Sequence, residues 1–182
     1  VHAADETLKN HVPQGVEVIS YASSNADITG HITALTPFVQ FCWNEADYSS
    51  PEVKTHLVGN YNFTNFLAAI CIGRQFNVSP EAINKALENY IPSNKRSKIE
   101  KTKRNTLIVD CYNANATSMR AALENFVAIQ KQKKLAILGD MLELGPISSE
   151  EHQKIADYLK NQQIQVILVG NEFNTASSSF QK

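Results

Sequence analysis

Three short apolar runs, Thr106 to Val109, Leu135 to Leu138 and Val166 to Val169, each lead into residues able to do chemistry. The first continues as Asp110-Cys111-Tyr112-Asn113-Ala114-Asn115, the second as Gly139-Asp140-Met141-Leu142-Glu143-Leu144-Gly145, the third as Gly170-Asn171-Glu172. A carboxylate just past a strand accepts hydrogen bonds from a ribose diol or a substrate ammonium. The amides of Asn113 and Asn115 donate and accept at once. In an open parallel sheet ligands bind beyond the carboxyl ends of the strands, so three such ends on one rim favour a binding site. Taken singly, each of these Asp, Asn and Gly residues fits a plain turn as well.

The elements that would hold these ends follow from the periodicity. Between the first two runs, Met119, Ala122, Leu123, Phe126 and Val127 give an amphipathic helix over 118–130. Between the second and third, Ser148-Ser149-Glu150-Glu151 reads as a capping box that opens a helix carrying Ile155 and Leu159. The order β-α-β-α-β, with strands apolar on both faces, predicts a parallel sheet covered by helices with right-handed crossovers, an α/β fold. Upstream, Val16 to Ala22, Ile28 to Leu35, Phe38 to Trp43 and Thr55 to Val58 are strand candidates forming a small β region. A helical period runs from Asn62 to about Phe76. Ser79-Pro80-Glu81 then caps a second helix with Ile83, Ala86, Leu87 and Tyr90 on one stripe. Residues 93–104 are polar and basic. They read as a linker and domain boundary entering an edge strand that turns at Arg104-Asn105.

Composition narrows the function. With 17 Lys+Arg against 18 Asp+Glu, a net charge of −1 and 43% hydrophobic residues in 182, the chain can fill a core and is neither disordered nor a dedicated nucleic-acid binder. No apolar run approaches the ~20 residues of a membrane span. Cys42, Cys71 and Cys111 lie far apart and read as reduced thiols of a cytosolic protein. Cys111 is expected to be a buried, inert thiol, and the five histidines, without metal spacing, to serve surface or packing roles. The seven glycines form neither G-x-x-x-x-G-K-[ST] nor G-x-G-x-x-G, so no phosphate loop of either common kind is present.

Specific strings then carry a family. Asp110 to Met119 resembles the D-x-Y-N-A-N-P-x-S-M string of the Mur ligases that add D-alanyl-D-alanine, the MurF type. Leu138 to Gly145 resembles their L-G-D-M-x-E-L-G, and Gly59 to Asn65 with Leu67-Ala68-Ala69 resembles their G-x-H-N-x-x-N-x-L-A-A. The matches occur in family order over roughly residues 55–170. The resemblance implies an ATP-dependent ligase that joins D-alanyl-D-alanine to UDP-N-acetylmuramoyl-tripeptide through an acyl phosphate in peptidoglycan synthesis. It implies the C-terminal part of a central ATP-binding domain over 1–93, followed by an incomplete Rossmann-like C-terminal domain over 94–182. By the same resemblance Asn62 and Asn65 lie near the adenine, Arg96 contacts a nucleotide phosphate and Asp110 the ribose. Asn113 and Asn115 face the reacting centre, and Asp140 and Glu143 the incoming dipeptide.

No catalytic residue is expected within this piece. The phosphate loop, the activating lysine and the Mg2+ ligands are expected upstream, and the piece alone is expected to be inactive. A cytoplasmic monomer without nucleic-acid partner or membrane span is implied. Three departures from the family are visible: Tyr61 stands for its His, Ala116 for its Pro, which is expected to loosen the loop, and Lys95 and Lys98 flank Arg96 where related sequences tend to have uncharged amides. Two other readings stay open, a related ligase of the folylpolyglutamate synthase type and a stand-alone, non-catalytic binding module.

Overall fold

The structure, a computed structural model, describes residues 1–92, 98–111 and 113–176. It divides into two compact units, Val1–Asp110 and Cys111–Lys182. The linker positions 93–97, including Arg96 and Lys95, lie outside the described residues, as do Tyr112 and 177–182.

In the first unit the helices are α1 (Glu6–Asn10), α2 (Tyr61–Gln75) and α3 (Pro80–Asn89). A five-stranded sheet combines β1 (Tyr21–Ala22), β2 (Ile28–Ala34), β3 (Gln40–Glu45), β4 (Tyr48–Ser49) and β5 (Val53–Lys54). β2 and β3 form an antiparallel ladder from Ile28↔Glu45 to Ala34↔Gln40, and β1 joins β2 in parallel. The i, i+3, i+4 apolar stripe of α2 lies against this sheet. Phe66 stacks on Phe41 with ring centroids 5.2 Å apart, Phe63 meets the same ring edge-on at 5.6 Å, and Leu67 and Ile70 complete the core. The predicted cap of α3 is present, Ser79 Oγ accepting from Ala82 N with Pro80 as the first helical residue. α3 is tied down by a buried polar chain: Trp43 Nε1 donates to Asn84 Oδ1 at 2.7 Å and Asn84 Nδ2 donates to the Tyr48 hydroxyl at 3.0 Å. Bonding on both sides offsets the cost of burying the amide.

Two expected strands are shorter or displaced. Only Tyr21–Ala22 of the 16–22 segment pairs as a strand, and Val16 and Val18 are exposed. Pairing near Thr55 to Val58 is limited to single bonds, Thr55 N to Val39 O and Val39 N to Leu57 O, while the strand itself is Val53–Lys54.

The edge strand and turn expected around Arg104-Asn105 form β6 (Lys98–Lys101) and β7 (Thr106–Val109), an antiparallel hairpin. The Thr102 hydroxyl accepts from the amides of Arg104 and Asn105 and fixes the turn. β7 pairs with β6, a partner across a short loop whose closure costs little entropy.

The second unit contains α4 (Ala116–Ala128), β8 (Leu135–Gly139), a 3-10 turn at Gly145–Ile147, α5 (Ser148–Lys160), β9 (Gln165–Val169) and α6 (Asn171–Ala176). β8 and β9 are parallel, in register from Leu135↔Gln165 to Gly139↔Val169, as the β-α-β pattern predicts. Met119 and Leu123 of α4, Ile155 and Leu159 of α5 and Phe173 of α6 form one core, with Ala136 of β8 buried among them and Leu138, Val166 and Leu168 partly buried against it. Among the described residues the helices of this unit pack on one face of the pair, and on the other Leu135, Ile137, Ile167 and Val169 are exposed.

Two helix starts also differ from expectation. α5 follows directly on the 3-10 turn, its cap position is Ile147, and no side chain caps it. The capping box lies instead at α4: Asn115 Oδ1 accepts from Ser118 N at 2.8 Å and Ser118 Oγ accepts from Asn115 N at 3.1 Å. Ala116 is therefore the first helical residue, a position that favours Pro and tolerates Ala, so the loop is held where loosening was expected.

Candidate functional site

The site residues predicted from sequence fall into two groups, one on each unit. On the first unit, Asn62 and Asn65 occupy the first turn and a half of α2. Asn62 is buried, its Nδ2 donates to Val58 O at 2.7 Å, and its Oδ1 accepts from Asn65 Nδ2 at 3.2 Å. Asn65 itself is exposed. The pair fastens the chain entering α2 to the helix.

One residue before Asn62, Tyr61 reaches the end of β7. Its hydroxyl donates to Asp110 Oδ2 at 3.0 Å across 49 residues of sequence. Gly59 makes room for this ring: its φ is +93°, and a Cβ there would collide with the Tyr61 ring. Asp110 is exposed at the strand end, an acceptor whose orientation the phenol helps set. Arg96 lies outside the described residues.

On the second unit, Asn113 is exposed and Asn115 caps α4. Asp140 sits at the end of β8 and turns its carboxylate to the start of α6. Oδ2 accepts from Glu172 N at 3.1 Å and Oδ1 from Phe173 N at 2.9 Å. Burial would raise this carboxyl, but the amides of Phe173, Glu172 and Asn171 outweigh burial and hold it below the usual carboxylate range. The approach requires glycine at 170, where φ is +126° and a Cβ would overlap the Asp140 carboxylate. Glu143 is exposed three residues on, with φ of +66° in the left-handed region, which a non-glycine residue rarely adopts. Cys111, expected to be buried, is exposed where the chain leaves β7.

Sequence reasoning grouped His152 with packing histidines, and the structure gives that packing a specific form. The ring is fully buried. Met141 N donates to its Nε2 at 2.9 Å, and its Nδ1 donates to Ser148 O at 2.7 Å. The Phe173 ring meets it edge-on at 4.6 Å, and Asp140 Oδ1 lies 3.8 Å from Nε2. The signal for His152 was its spacing of four from Ser148 on a helix. For Tyr61 it was its place at the family's histidine, and for Gly170 its position directly after a strand. Among the described residues no group of three His, Cys, Asp or Glu stands together to hold a metal ion, and no helix is long and apolar enough to cross a membrane.

This geometry, an open strand-end rim on a β-α-β unit that follows a small β region with a helical pair, matches a known class of proteins. Residues 95–181 match the model of the Mur ligase, glutamate ligase domain. That match takes in just under half of the chain, and the similarity to Mur ligases extends beyond it. It is 35% identical over 108 residues to the UDP-N-acetylmuramoyl-tripeptide–D-alanyl-D-alanine ligase of Treponema pallidum, a match covering 59% of this chain and 23% of that protein. The crystal structure of MurF from Acinetobacter baumannii superposes with a TM-score of 0.78 at 29% identity, over 87% of this chain and 35% of that one. The MurF ligase of Thermotoga maritima in complex with ADP shares the fold, with a TM-score of 0.79 at 20% identity over 95% of this chain and 40% of that one. The chain thus spans about a quarter of the length of the curated relatives it matches.

Proposed function

We propose that the chain is part of an ATP-dependent ligase that joins D-alanyl-D-alanine to UDP-N-acetylmuramoyl-tripeptide in the cytoplasm, acting as a monomer. The observation that carries this reading is the 35% identity to a ligase named for that reaction. The 29% identical MurF superposition, which spans both units of the chain, adds to it. Residues 1–93 would close the central ATP-binding domain and 94–182 would form most of the C-terminal ligase domain. The family match beginning at residue 95 supports that division.

In this reading the tripeptide carboxylate attacks the γ-phosphorus of ATP and ADP leaves, giving an acyl phosphate. The dipeptide amine then attacks the acyl carbon, phosphate departs, and the amine loses a proton. The chain's residues bind and orient. Asp110, an exposed carboxylate at the end of β7, suits a ribose diol. Asn62 and Asn65 would line the adenine end. Arg96 would place a permanent positive charge at the nucleotide phosphates, since a guanidinium is not deprotonated. Asn113 and Asn115 would face the reacting carbonyl. Glu143, and Asp140 through the loop it anchors, would receive the ammonium of the incoming dipeptide. The Mg2+ ligands and the phosphate loop would come from residues outside this chain.

The test is an assay of phosphate release by the full-length gene product with ATP, Mg2+, UDP-N-acetylmuramoyl-tripeptide and D-alanyl-D-alanine. Release should require both acceptor and dipeptide. Release that depends on folate and glutamate instead would overturn the assignment.

A further inference from the structure

The loop between β8 and α5 is clamped at both ends by one side chain. At its start, Met141 donates its amide hydrogen to His152 Nε2. At its end, Ser148 accepts from His152 Nδ1 through its carbonyl. The imidazole therefore closes the mouth of an eight-residue excursion, 141–148, and the pattern places its ring proton on Nδ1. The clamp is rigid because it is buried. His152 has no exposed surface, Met141 is 1% exposed, and Phe173 packs edge-on against the ring. A second tie holds the same corner, Ser148 Oγ donating to Glu172 Oε2 at 2.9 Å, while Asp140 binds the first amides of α6.

Outside the clamp the character of the loop reverses. Leu142 is 70% exposed, and Glu143 is exposed in a left-handed conformation. A turn that presents an apolar side chain and a carboxylate to solvent, on a buried base hydrogen-bonded at both ends, has the construction of a substrate-contacting loop held by a supporting shell. Helix capping does not account for the histidine, since α5 has no side-chain cap and His152 lies inside the helix.

We infer that His152 is a positioning residue for the Glu143 carboxylate, and through it for recognition of the amine substrate. This inference rests on the proposed ligase reading, in which the dipeptide ammonium meets this loop. His152 touches no reactant. It acts by denying the 141–148 loop its alternative conformations, so its loss should weaken amine binding and leave nucleotide binding alone.

The experiment compares full-length wild type with His152→Phe and His152→Gln, measuring kcat and the KM values for D-alanyl-D-alanine and ATP. Phenylalanine keeps the ring volume but strands the Met141 amide and the Ser148 carbonyl, a penalty that corresponds to about a tenfold rise in dipeptide KM. The KM for ATP should stay within about twofold, and kcat at saturating dipeptide should be little changed. Glutamine can accept from the Met141 amide but cannot also reach Ser148 with the same rigidity, so it should restore most of the affinity. If His152→Phe does not fold, His152→Gln decides alone, with a rise of about threefold in dipeptide KM and none for ATP. Equal rises in both KM values, a fall in kcat alone, or no change would overturn the inference. Wild-type enzyme showing no dipeptide-dependent ATP consumption would instead sink the ligase reading, so the two failures are distinguishable.

Discussion

Replacing Asp140 with Asn keeps the side chain's size and removes its charge. The carboxylate accepts two backbone N–H groups, from Glu172 at 3.1 Å and Phe173 at 2.9 Å, with its side chain only 15% exposed. An amide can serve one of them. Its NH2 then faces the other N–H, donor against donor. A hydrogen bond to a charged group contributes about 1.5–3 kcal/mol, and the charge at the first turn of α6 adds about 0.3–1 kcal/mol. With partial solvent screening the expected loss is about 2 kcal/mol, and Ala should cost no less. Trp43, the single tryptophan of this sequence, lies in the first unit and does not report on α6. The suitable assay is hydrogen exchange of the 165–176 segment in the full-length protein, where 2 kcal/mol corresponds to about thirtyfold faster exchange.

The same variant carries a pH signature. The folded carboxyl is held below its unfolded value, so its stabilisation is complete above the unfolded pKa of about 3.9 and is lost as pH falls through the lower, folded value. The gap between wild type and Asp140→Asn should be full at neutral pH and shrink below about pH 4. An Asn variant within about 0.5 kcal/mol of wild type at pH 7 would refute the reasoning, because no surviving geometry serves both amides.

Tyr61→Phe removes the hydroxyl that Asp110 accepts from; under the proposed reading the KM for ATP should rise about threefold with dipeptide KM unchanged, and an unchanged ATP KM would remove Tyr61 from the nucleotide site. Asn84→Leu strands the Trp43 indole N–H in the core of the first unit and should cost about 2 kcal/mol in urea unfolding followed by tryptophan emission. A loss below 0.5 kcal/mol would mean that the indole finds another acceptor.

Elements announced by a strong local signal were legible. The stripe of α2, the Ser-Pro-Glu entry to α3, the parallel partners β8 and β9 and the turn before β7 all follow from nearest-neighbour chemistry. Capping was less legible. Ser148-Ser149-Glu150-Glu151 has the composition of a capping box, yet the preceding Gly145-Pro146 turn delivers the chain already helical, leaving Ser148 to reach Glu172. Asn115, read as a site residue, caps α4 through Ser118, since a residue three positions on completes the reciprocal pair. Asp140 was placed correctly at a strand end, but its two amide partners lie 32 and 33 residues away and only the folded chain reveals them.

The φ of +66° at Glu143 has its own consequence for how this position tolerates change. A side chain in that conformation costs about 1 kcal/mol that glycine would not incur. Thermodynamic pressure at position 143 therefore favours losing the carboxylate, while the proposed amine contact favours keeping it. Selection for heat resistance and selection for turnover would pull this one residue in opposite directions, toward Gly and toward Glu respectively.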